Sequence, residues 1–404
     1  MRAPIPALML LALAVGACSD EPQNTAEAPA QPGAPASGPQ ANNLNPPPLI
    51  VPPAEEIVVA ASSFPMAQAI DAAVLGAQTP IIPTTPTPGQ PAAAPQAKAQ
   101  AQMGAVKPGG YDPALVRAQV LLDRARFSPG VIDGRDGGNM KLAVTGFQTM
   151  HNLPVTGVVD QATWAALVAG DAAPAMQDYV ITPQDAAGPY DPQSLSDDYE
   201  VLATLTKLSY ATPSEALAER FHMDEALLKT LNPGADFAVA GTKIVVARPG
   251  PDALPEKVAR IEIDKAMGEL RALNDAGAVI AVYPATIGSS DRPAPDGTWA
   301  VRTLAPAPTY TYDPTRLTFG RPSLLNGKKK LTIAAGPNNP VGSTWIDLTK
   351  DTFGIHGTPD PRLVGKRASH GCIRLTNWDA RELGSAVRKG TVVVFEGREK
   401  AVKA

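Results

Sequence analysis

The distribution of proline constrains this chain more than any other feature. The chain has 404 residues and 43 prolines, and stretches such as EAPAQPGAPASGPQ and TPIIPTTPTPGQPAAAPQ crowd them into its first quarter. Segments of this composition cannot bury enough apolar surface to offset the entropy lost on folding, and they are typical of extended linkers. Residues 18–109 are therefore predicted to be a disordered tether. Its interruption at 55–77, EEIVVAASSFPMAQAIDAAVLGA, is apolar enough for a short helix that docks on an unassigned partner.

The extreme N-terminus predicts export. Arg2 precedes an apolar run, Ile5 to Val15, which is too short to span a bilayer and is followed by small residues. The end of this run, VGAC, resembles the lipobox of bacterial lipoproteins, which implies a signal peptide at 1–17 and lipid on Cys18. An ordinary signal peptide with an incidental cysteine is the alternative. We expect an exported, periplasmic protein held on a membrane by lipid, and Ser19 favours the outer membrane.

The cysteine count makes Cys372 a candidate for chemistry. The chain has two cysteines, four histidines and a net charge of −4, which gives no indication of a nucleic-acid partner. If Cys18 carries lipid, Cys372 has no second cysteine to pair with, although exported proteins usually pair or avoid their thiols. Its neighbours are His370, Gly371 and Arg374 rather than a run of apolar residues. This surrounding disfavours the alternative of a buried, inert thiol.

A small bundle of three helices is predicted at 110–170. Asp112 and Pro113 suit the start of a helix, apolar residues follow at helical spacing, and Asp160 can cap the third helix. The motifs GVIDG, AVTGFQ and LPVTGVVDQATWAAL in this region resemble the peptidoglycan-binding domain of cell-wall hydrolases. A helical spacer without binding activity is the alternative. His151, at the end of one helix, is assigned a structural role.

A second module is predicted at 196–248, after a linker at 171–195. The segment SEALAERFHMDEALLKTLNPGADFAVAGTKIVVA reads as two helices, a loop and a strand, and a first strand is expected from about Ser196 to Thr206. This order resembles a LysM module, a family that binds N-acetylglucosamine polymers, and a generic α+β linker domain is the alternative. His222, in the turn between the helices, is expected to be solvated or to pack between them.

The last part of the chain, 258–397, is predicted to be a mainly-β domain. Short apolar segments, among them GAVIAVYP, STWIDLT, FGIHGT and GTVVVFEG, are separated by Gly, Pro, Asn and Asp turns. One helix is expected from Asn377 to Val387, with Asn377 as its N-cap. Many short strands with little helix favour a β-sandwich or a barrel-like fold. The whole chain is thus expected to be multidomain.

The thiol of Cys372 needs a base, because its ordinary pKa leaves little thiolate at neutral pH. His370 lies two positions before it, and His356 ends a separate strand, FGIH. A base on a rigid neighbouring strand is better placed than one on the same mobile loop. His356 is therefore predicted to be the base, and His370 a supporting residue that orients the loop or binds substrate. The carbonyl of Gly357 can fix the tautomer of the imidazole.

Arg374 and Gly371 complete the predicted site. Arg374 can hold a substrate carboxylate, lower the pKa of the thiol or pair with an acidic side chain. Gly371 lets the backbone approach closely, so the amides of Gly371 and Cys372 are candidate oxyanion-hole donors. A zinc site is the rival interpretation, but HGC lacks the usual ligand spacing and the chain has no His-Glu-x-x-His motif. We expect neither metal nor cofactor.

The segments IHG and SHGCIRL resemble the signature of the L,D-transpeptidase (YkuD-type) catalytic domain. That signature is a His, a spacer and then the motif Ser/Thr-His-Gly-Cys-x-Arg. In this chain the motif begins at Ser369, which is taken as a further supporting residue. PDGTW (Pro295–Trp299) and GPNNPVG (Gly336–Gly342) resemble two further segments of that family, the first with Asp and Trp as departures. The resemblance implies that Cys372 attacks the diaminopimelate–D-Ala bond of a peptidoglycan stem peptide, that D-Ala leaves, and that an amine acceptor resolves the thioester.

The alternatives are hydrolysis of the same bond, as by an L,D-carboxypeptidase or an amidase, and a wall-anchoring lipoprotein without catalysis. The intact set of Cys, His and Arg argues against the second. The expected partners are stem peptides, glycan and, through the lipid, a membrane.

Overall fold

The computed structural model describes residues 62–76, 110–288, 293–314, 330–366 and 371–398. Several sequence predictions lie outside the described residues: the signal peptide with Cys18, most of the tether, and the two supporting residues Ser369 and His370. In the part of the chain that is described, no helix is both long enough and apolar enough to cross a membrane.

Two helices of the bundle, α2 and α4, start at aspartate caps. Asp112 accepts the backbone N–H of Ala114 at 2.8 Å, and Asp160 accepts that of Thr163 at 2.8 Å. Both contacts satisfy N–H groups that have no partner inside the helix, and Trp164 is buried against the neighbouring helices. The helices of this part of the chain are α1 (Pro65–Asp71), α2 (Pro113–Arg124), α3 (Gly138–Met150) and α4 (Gln161–Gly170).

The helix α2 is buried on two faces. Leu115 and Leu121 pack in the bundle core with α3 and α4, whereas Val116 and Val120 pack in the core of the module that follows. A helix on a protein surface has a single apolar stripe, so a helix buried on two sides lies inside an assembly. The bundle and the next module therefore share α2 and are not separate beads on a linker.

The apolar interruption of the tether docks on this assembly. Ala67 and Ile70 of α1 are fully buried among residues of the second core. Asp71 accepts the backbone N–H groups of Ala175 at 2.7 Å and Met176 at 3.1 Å. The helix predicted within 55–77 thus has its partner within the same chain, and residues 62–76 of the predicted tether are part of the folded assembly.

The module after the bundle is an antiparallel pair of strands with helices between them. Met176 lies opposite Ala247 and Val180 opposite Lys243, and Thr212 and Asp224 cap the two longer helices. Its elements are β1 (Met176–Val180), α5 (Pro183–Ala187), a 3-10 turn (Pro192–Leu195), α6 (Tyr199–Leu202), α7 (Pro213–Arg220), α8 (Glu225–Leu231) and β2 (Lys243–Ala247).

The predicted first strand of this module, from Ser196 to Thr206, is wrong. The strand is β1, inside the segment 171–195 that was expected to be a linker, and the predicted stretch contains the short helix α6. Asp198 starts that helix by accepting the N–H of Glu200 at 2.9 Å. The five residues of β1 form a strand because they pair with β2, and such pairing outweighs local propensity.

The C-terminal region is built from short strands and one helix that follow the predicted mainly-β pattern. The helix expected from Asn377 to Val387 ends one residue earlier, and its N-cap is Thr376 rather than Asn377. The elements are β3 (Arg260–Asp264), β4 (Glu269–Leu273), β5 (Val279–Pro284), β6 (Thr286–Ile287), β7 (Gly297–Pro306), β8 (Tyr310–Tyr312), β9 (Leu331–Ile333), β10 (Thr344–Leu348), β11 (Gly354–His356), a 3-10 turn (Pro361–Leu363), β12 (Ile373–Arg374), α9 (Asn377–Ala386) and β13 (Val392–Glu396).

Counting described residues only, nine of these strands form one sheet in the order β5-β4-β3-β13-β7-β10-β11-β12-β6. The long strand β7 makes this continuity possible, because residues 297–300 pair with β13 and residues 301–306 pair with β10. The mainly-β prediction is thus confirmed, and of the two folds that the sequence favoured, one continuous sheet is closer to the barrel-like fold than to a sandwich of two separate sheets. The helix α9 covers β10 and β11 and buries Leu383 against a core that includes Ile346 and Ile355.

The bundle covers one edge of this sheet, the strand β5. The backbone N–H of Ser128 donates to the carbonyl of Val282 in β5 at 2.9 Å, and the N–H of Val282 donates to Arg126 at 2.8 Å. Val282 also lies in the apolar core of the bundle. Because an uncovered edge strand offers unpaired N–H and C=O groups, this contact pairs β5 and holds the bundle against the sheet.

A buried histidine joins all three parts of the chain. The Nδ1 of His222 lies 3.1 Å from Asp123 of α2, and its Nε2 lies 3.0 Å from Asp252. Its ring stacks on Trp378 of α9 at 4.9 Å. Burial alone would lower the pKa of His222, but the two carboxylates raise it to about 9. The residue expected to be solvated or packed between helices is therefore a charged junction.

The charge of His222 predicts a pH-dependent contribution to stability. Its pKa is higher in the folded chain than the ordinary 6.5, so the contribution is fully present below pH 6.5 and is lost as pH rises through 9. The difference in unfolding free energy between the native chain and His222→Gln should shrink by about 3 kcal/mol between pH 6 and pH 9.5. Urea denaturation at both pH values measures it, and a difference independent of pH would contradict the ion pairs.

Candidate active site

Two adjacent parallel strands bring the predicted residues together. Ile355 of β11 lies opposite Ile373 of β12, and His356 lies opposite Arg374. Both isoleucines are fully buried, so the apolar core holds this register. Cys372 directly precedes β12, which places the thiol beside the start of the strand that carries His356.

The thiol of Cys372 is partly exposed and keeps its proton at neutral pH. Its Sγ lies 3.7 Å from the carbonyl oxygen of Thr352. Burial raises the pKa of the Cys372 thiol above its ordinary value, while a backbone hydrogen bond at Gly354 and the charge of Arg374 act in the opposite direction. The thiol therefore needs a base at the moment of attack.

The imidazole of His356 is buried and held in one tautomer. Its Nδ1 lies 2.6 Å from the carbonyl oxygen of Gly357, and because a carbonyl can only accept, Nδ1 carries the proton and Nε2 presents a lone pair. The ring stacks on the indole of Trp345 at 5.5 Å. Burial and then the charge of Arg374 lower the pKa of His356 to about 3. The imidazole is thus a neutral base across the physiological pH range.

Arg374 brings a positive charge to the same site. Its Nε is buried and has no hydrogen-bond partner among the described residues. Burial lowers the pKa of Arg374, whereas the nearby Tyr199, Cys372 and Asp360 act to raise it. A guanidinium with an unused donor next to the thiol is suited to bind a carboxylate or a developing negative charge.

An aromatic residue that was not predicted as part of the site, Tyr199, lies close enough to Arg374 to interact with its charge. Tyr199 of α6 stacks on Tyr312 of the β8–β9 hairpin, with ring centroids 4.8 Å apart. The ring of Tyr310 lies 6.1 Å from the ring of Tyr199. Tyr199 belongs to the module before the catalytic domain, so sequence spacing carried no signal for this contact.

The remaining predicted residues are Gly371, Ser369 and His370. Gly371 is buried and has φ +108°, a conformation that favours glycine and produces the tight turn before Cys372. Ser369 and His370 lie outside the described residues. Where the chain is described, no group of three or more His, Cys, Asp and Glu side chains is arranged to hold a metal ion.

Comparison with known families identifies two domains. Residues 258–395 match the L,D-transpeptidase catalytic domain, and residues 111–167 match a peptidoglycan-binding domain. The chain is 28% identical over 184 residues to YkuD of Bacillus licheniformis, covering 44% of this chain and 90% of that relative. It is 31% identical over 138 residues to YqjB of Bacillus subtilis, covering 33% of this chain and 68% of that relative. Both relatives carry L,D-transpeptidase names. This chain belongs to the L,D-transpeptidase family.

One of the solved structures to which this chain is similar is L,D-transpeptidase 3 from Mycobacterium tuberculosis. It shares 16% identity with this chain, with a TM-score of 0.29, over 39% of this chain and 75% of that one. The family assignment makes the protein an L,D-transpeptidase enzyme with a helical peptidoglycan-binding domain. Peptidoglycan is the partner that both domains imply.

Proposed function

We propose that Cys372 is the nucleophile and His356 the general base of this L,D-transpeptidase, acting on the diaminopimelate–D-Ala bond of peptidoglycan stem peptides. One observation carries the proposal. The hydrogen bond from His356 Nδ1 to the carbonyl of Gly357 leaves Nε2 as the basic atom, on the strand next to Cys372. The same pair of residues is the one that the family signature implies.

The first half of the reaction forms a thioester. As Sγ attacks the carbonyl carbon, its proton passes to Nε2 of His356. The oxyanion is stabilised by the charge of Arg374 and by the amides at Gly371 and Cys372. The C–N bond then breaks, and His356 returns the proton to the departing amine of D-Ala. The low pKa of His356 favours a proton transfer coupled to attack over a resting thiolate–imidazolium pair.

The second half resolves the thioester. An acceptor amine attacks the same carbonyl carbon and gives up a proton to His356. The C–S bond breaks and the proton returns to Sγ, which restores the enzyme. With water as the acceptor, the same steps would make the enzyme an L,D-carboxypeptidase or an amidase.

Incubation of the chain with disaccharide-tetrapeptides, followed by mass spectrometry, tests this function. Transfer predicts crosslinked dimers and released D-Ala. Tripeptides alone would show hydrolysis and would contradict transpeptidation. Absence of any product would favour the alternative of a wall-anchoring protein.

We also propose that the module β1–α7–α8–β2 is LysM-like and contacts glycan strands. Its two longer helices between a pair of antiparallel strands support this assignment, although α5, a 3-10 turn and α6 also lie between β1 and α7. A shallow groove of about 420 Å³ lies between the start of α7 and the loop after α8, with Ser214 and Phe237 in its walls. Phe237→Ala should weaken sedimentation with insoluble peptidoglycan by about fivefold, since an aromatic wall supplies most of such a contact. Unchanged sedimentation would favour the alternative, a linker domain that does not bind glycan.

We propose that lipid on Cys18 anchors the enzyme in the periplasm, on the outer membrane. The VGAC sequence and the polar residues after it support this assignment. Mass spectrometry of the N-terminal peptide tests this proposal. An unmodified Cys18 would contradict the lipid anchor and favour an ordinary signal peptide.

A further inference from the structure

A buried carboxylate of the LysM-like module reaches into the catalytic domain. Glu219 of α7 is 5% exposed, and both of its oxygens accept the side-chain amide of Asn377 at 3.1 Å. It also accepts the hydroxyl of Tyr210 at 2.9 Å and lies 3.6 Å from Arg381. Burying a carboxylate is costly unless it is hydrogen-bonded or paired. The proposed mechanism gives this group no role.

Asn377 is the residue through which Glu219 acts on the catalytic domain. Its Nδ2 also donates to the carbonyl of Pro337 at 3.2 Å, and its Oδ1 accepts the backbone N–H of Ser343 at 2.9 Å. The side-chain amide therefore has partners at both ends. An amide held in this way has one orientation, which Glu219 fixes together with Pro337 and Ser343.

The oxygen of Asn377 lies against two glycines. A Cβ on either Gly342 or Gly357 would be 2.1 Å from Oδ1, which is far inside van der Waals contact. Gly342 has φ +64° and needs glycine for this reason as well. The side chain of Asn377 is thus in direct contact with the backbone at Gly357, and its position and that of Gly357 depend on each other.

Gly357 is the residue whose carbonyl accepts the proton-bearing Nδ1 of His356. A shift of Asn377 would move this carbonyl and release the imidazole from its single tautomer. Asn377 also begins α9, which follows β12 directly. The contacts form a chain from the accessory module to the base: Glu219, Asn377, Gly357 and His356.

We propose that Glu219 is a positioning residue for the catalytic base, so that the accessory module takes part in assembling the active site. The inference rests on the proposed role of His356. The carboxylate holds the amide of Asn377, the amide holds the backbone at Gly357, and that carbonyl holds the reactive tautomer of the imidazole. Glu219 touches neither substrate nor thiol.

Two variants of Glu219 separate the effect of side-chain length from the effect of its negative charge. Glu219→Asp keeps the charge and withdraws the oxygens by one methylene, whereas Glu219→Gln keeps the reach and an accepting oxygen but removes the charge. Glu382→Gln is the matched control. Glu382 is also a buried carboxylate at a contact with the accessory region, where it pairs with Arg126, and it lies on the same helix as Asn377.

Thioester formation is measured as D-Ala release at saturating and limiting tetrapeptide. Glu219→Asp should lower kcat about ten- to a hundredfold with KM within about twofold, because misplacing a catalytic group slows the chemical step. Glu219→Gln and Glu382→Gln should remain within about threefold of the native chain. Thermal unfolding of the three variants confirms that each is folded.

The tautomer of His356 is a readout that a purely structural contact would not change. In the chain labelled with ¹⁵N at histidine, the ring of His356 should show a single Nδ1–H form in the native protein, in Glu219→Gln and in Glu382→Gln. Glu219→Asp should show a mixture. The signal is assigned by its loss in His356→Gln.

Two results would overturn the inference. One is Glu219→Asp with native kcat and a native tautomer. The other is Glu219→Gln as impaired as Glu219→Asp, because a side chain that keeps the reach and an accepting oxygen would then have failed to hold Asn377. If His356→Gln itself left D-Ala release unchanged, the proposed function would fail instead. If His356→Gln abolished release and Glu219→Asp did not, only the role of Glu219 would fail.

Discussion

Replacing Cys372 with alanine is expected to lower D-Ala release from a tetrapeptide at least about 10³-fold, because the proposed mechanism forms the acyl intermediate on its sulfur. The side chain is partly exposed, and its Sγ makes a long contact of 3.7 Å with Thr352. The loss of the sulfur should therefore change the unfolding free energy by about 1 kcal/mol or less.

The two measurements must be made on the same preparation. A folded Cys372→Ala chain that still bound insoluble peptidoglycan would show that the loss is chemical. Such binding is expected because the peptidoglycan-binding domain at 111–167 does not include the thiol. If the variant retained more than a few per cent of native D-Ala release, Cys372 would not be the nucleophile.

Replacing His356 with glutamine is expected to lower kcat about 10²- to 10⁴-fold, since it removes the general base while nearly preserving side-chain length. His151→Gln is the matched control. His151 stacks on Phe147 in the helical bundle at 4.1 Å, away from the catalytic strands, and its replacement should leave kcat unchanged. Equal activity of the two variants would remove His356 from the mechanism.

The pKa of His356 also predicts the shape of the pH profile. Since burial lowers this pKa to about 3, the active neutral imidazole is present above pH 4 and is lost only as pH falls through 3. The acylation rate at limiting substrate should therefore show no acid limb between pH 5 and pH 8. An acid limb near pH 6.5 would indicate an exposed histidine with an ordinary pKa.

The catalytic region was the part most accessible from sequence. The β-rich pattern after residue 258, the separate strand ending at His356 and the glycine before Cys372 all follow local rules. The structure places His356 and Arg374 opposite each other on adjacent strands. The carbonyl of Gly357 lies where the predicted tautomer requires it.

The packing of the modules against one another could not be predicted from local sequence patterns. The apolar residues of α2 were predicted only to have helical spacing, but Val116 and Val120 face a different core from Leu115 and Leu121. Their spacing of four residues was a local sign of a second face. The strand β1 lacked such a sign, because it forms through pairing with β2, far along the chain.

The contact between Glu219 and Asn377 joins residues far apart in sequence. Asn377 was expected to cap a helix, a local role that Thr376 takes. Its side chain is used instead to join α7, the loop at Gly342 and the end of β11. Periodicity and spacing identify elements, whereas a buried polar contact of this kind depends on how the elements pack.

The most direct test of the central claim is to trap the acyl-enzyme. The chain is mixed with a tetrapeptide donor in the absence of an acceptor, quenched in acid and digested, and the peptide that carries the added acyl mass is sequenced by mass spectrometry. The account predicts an acyl group on Sγ of Cys372, formed together with one equivalent of D-Ala and absent from Cys372→Ala. An acyl group on another residue, or D-Ala release with no covalent intermediate at any time point, would contradict it.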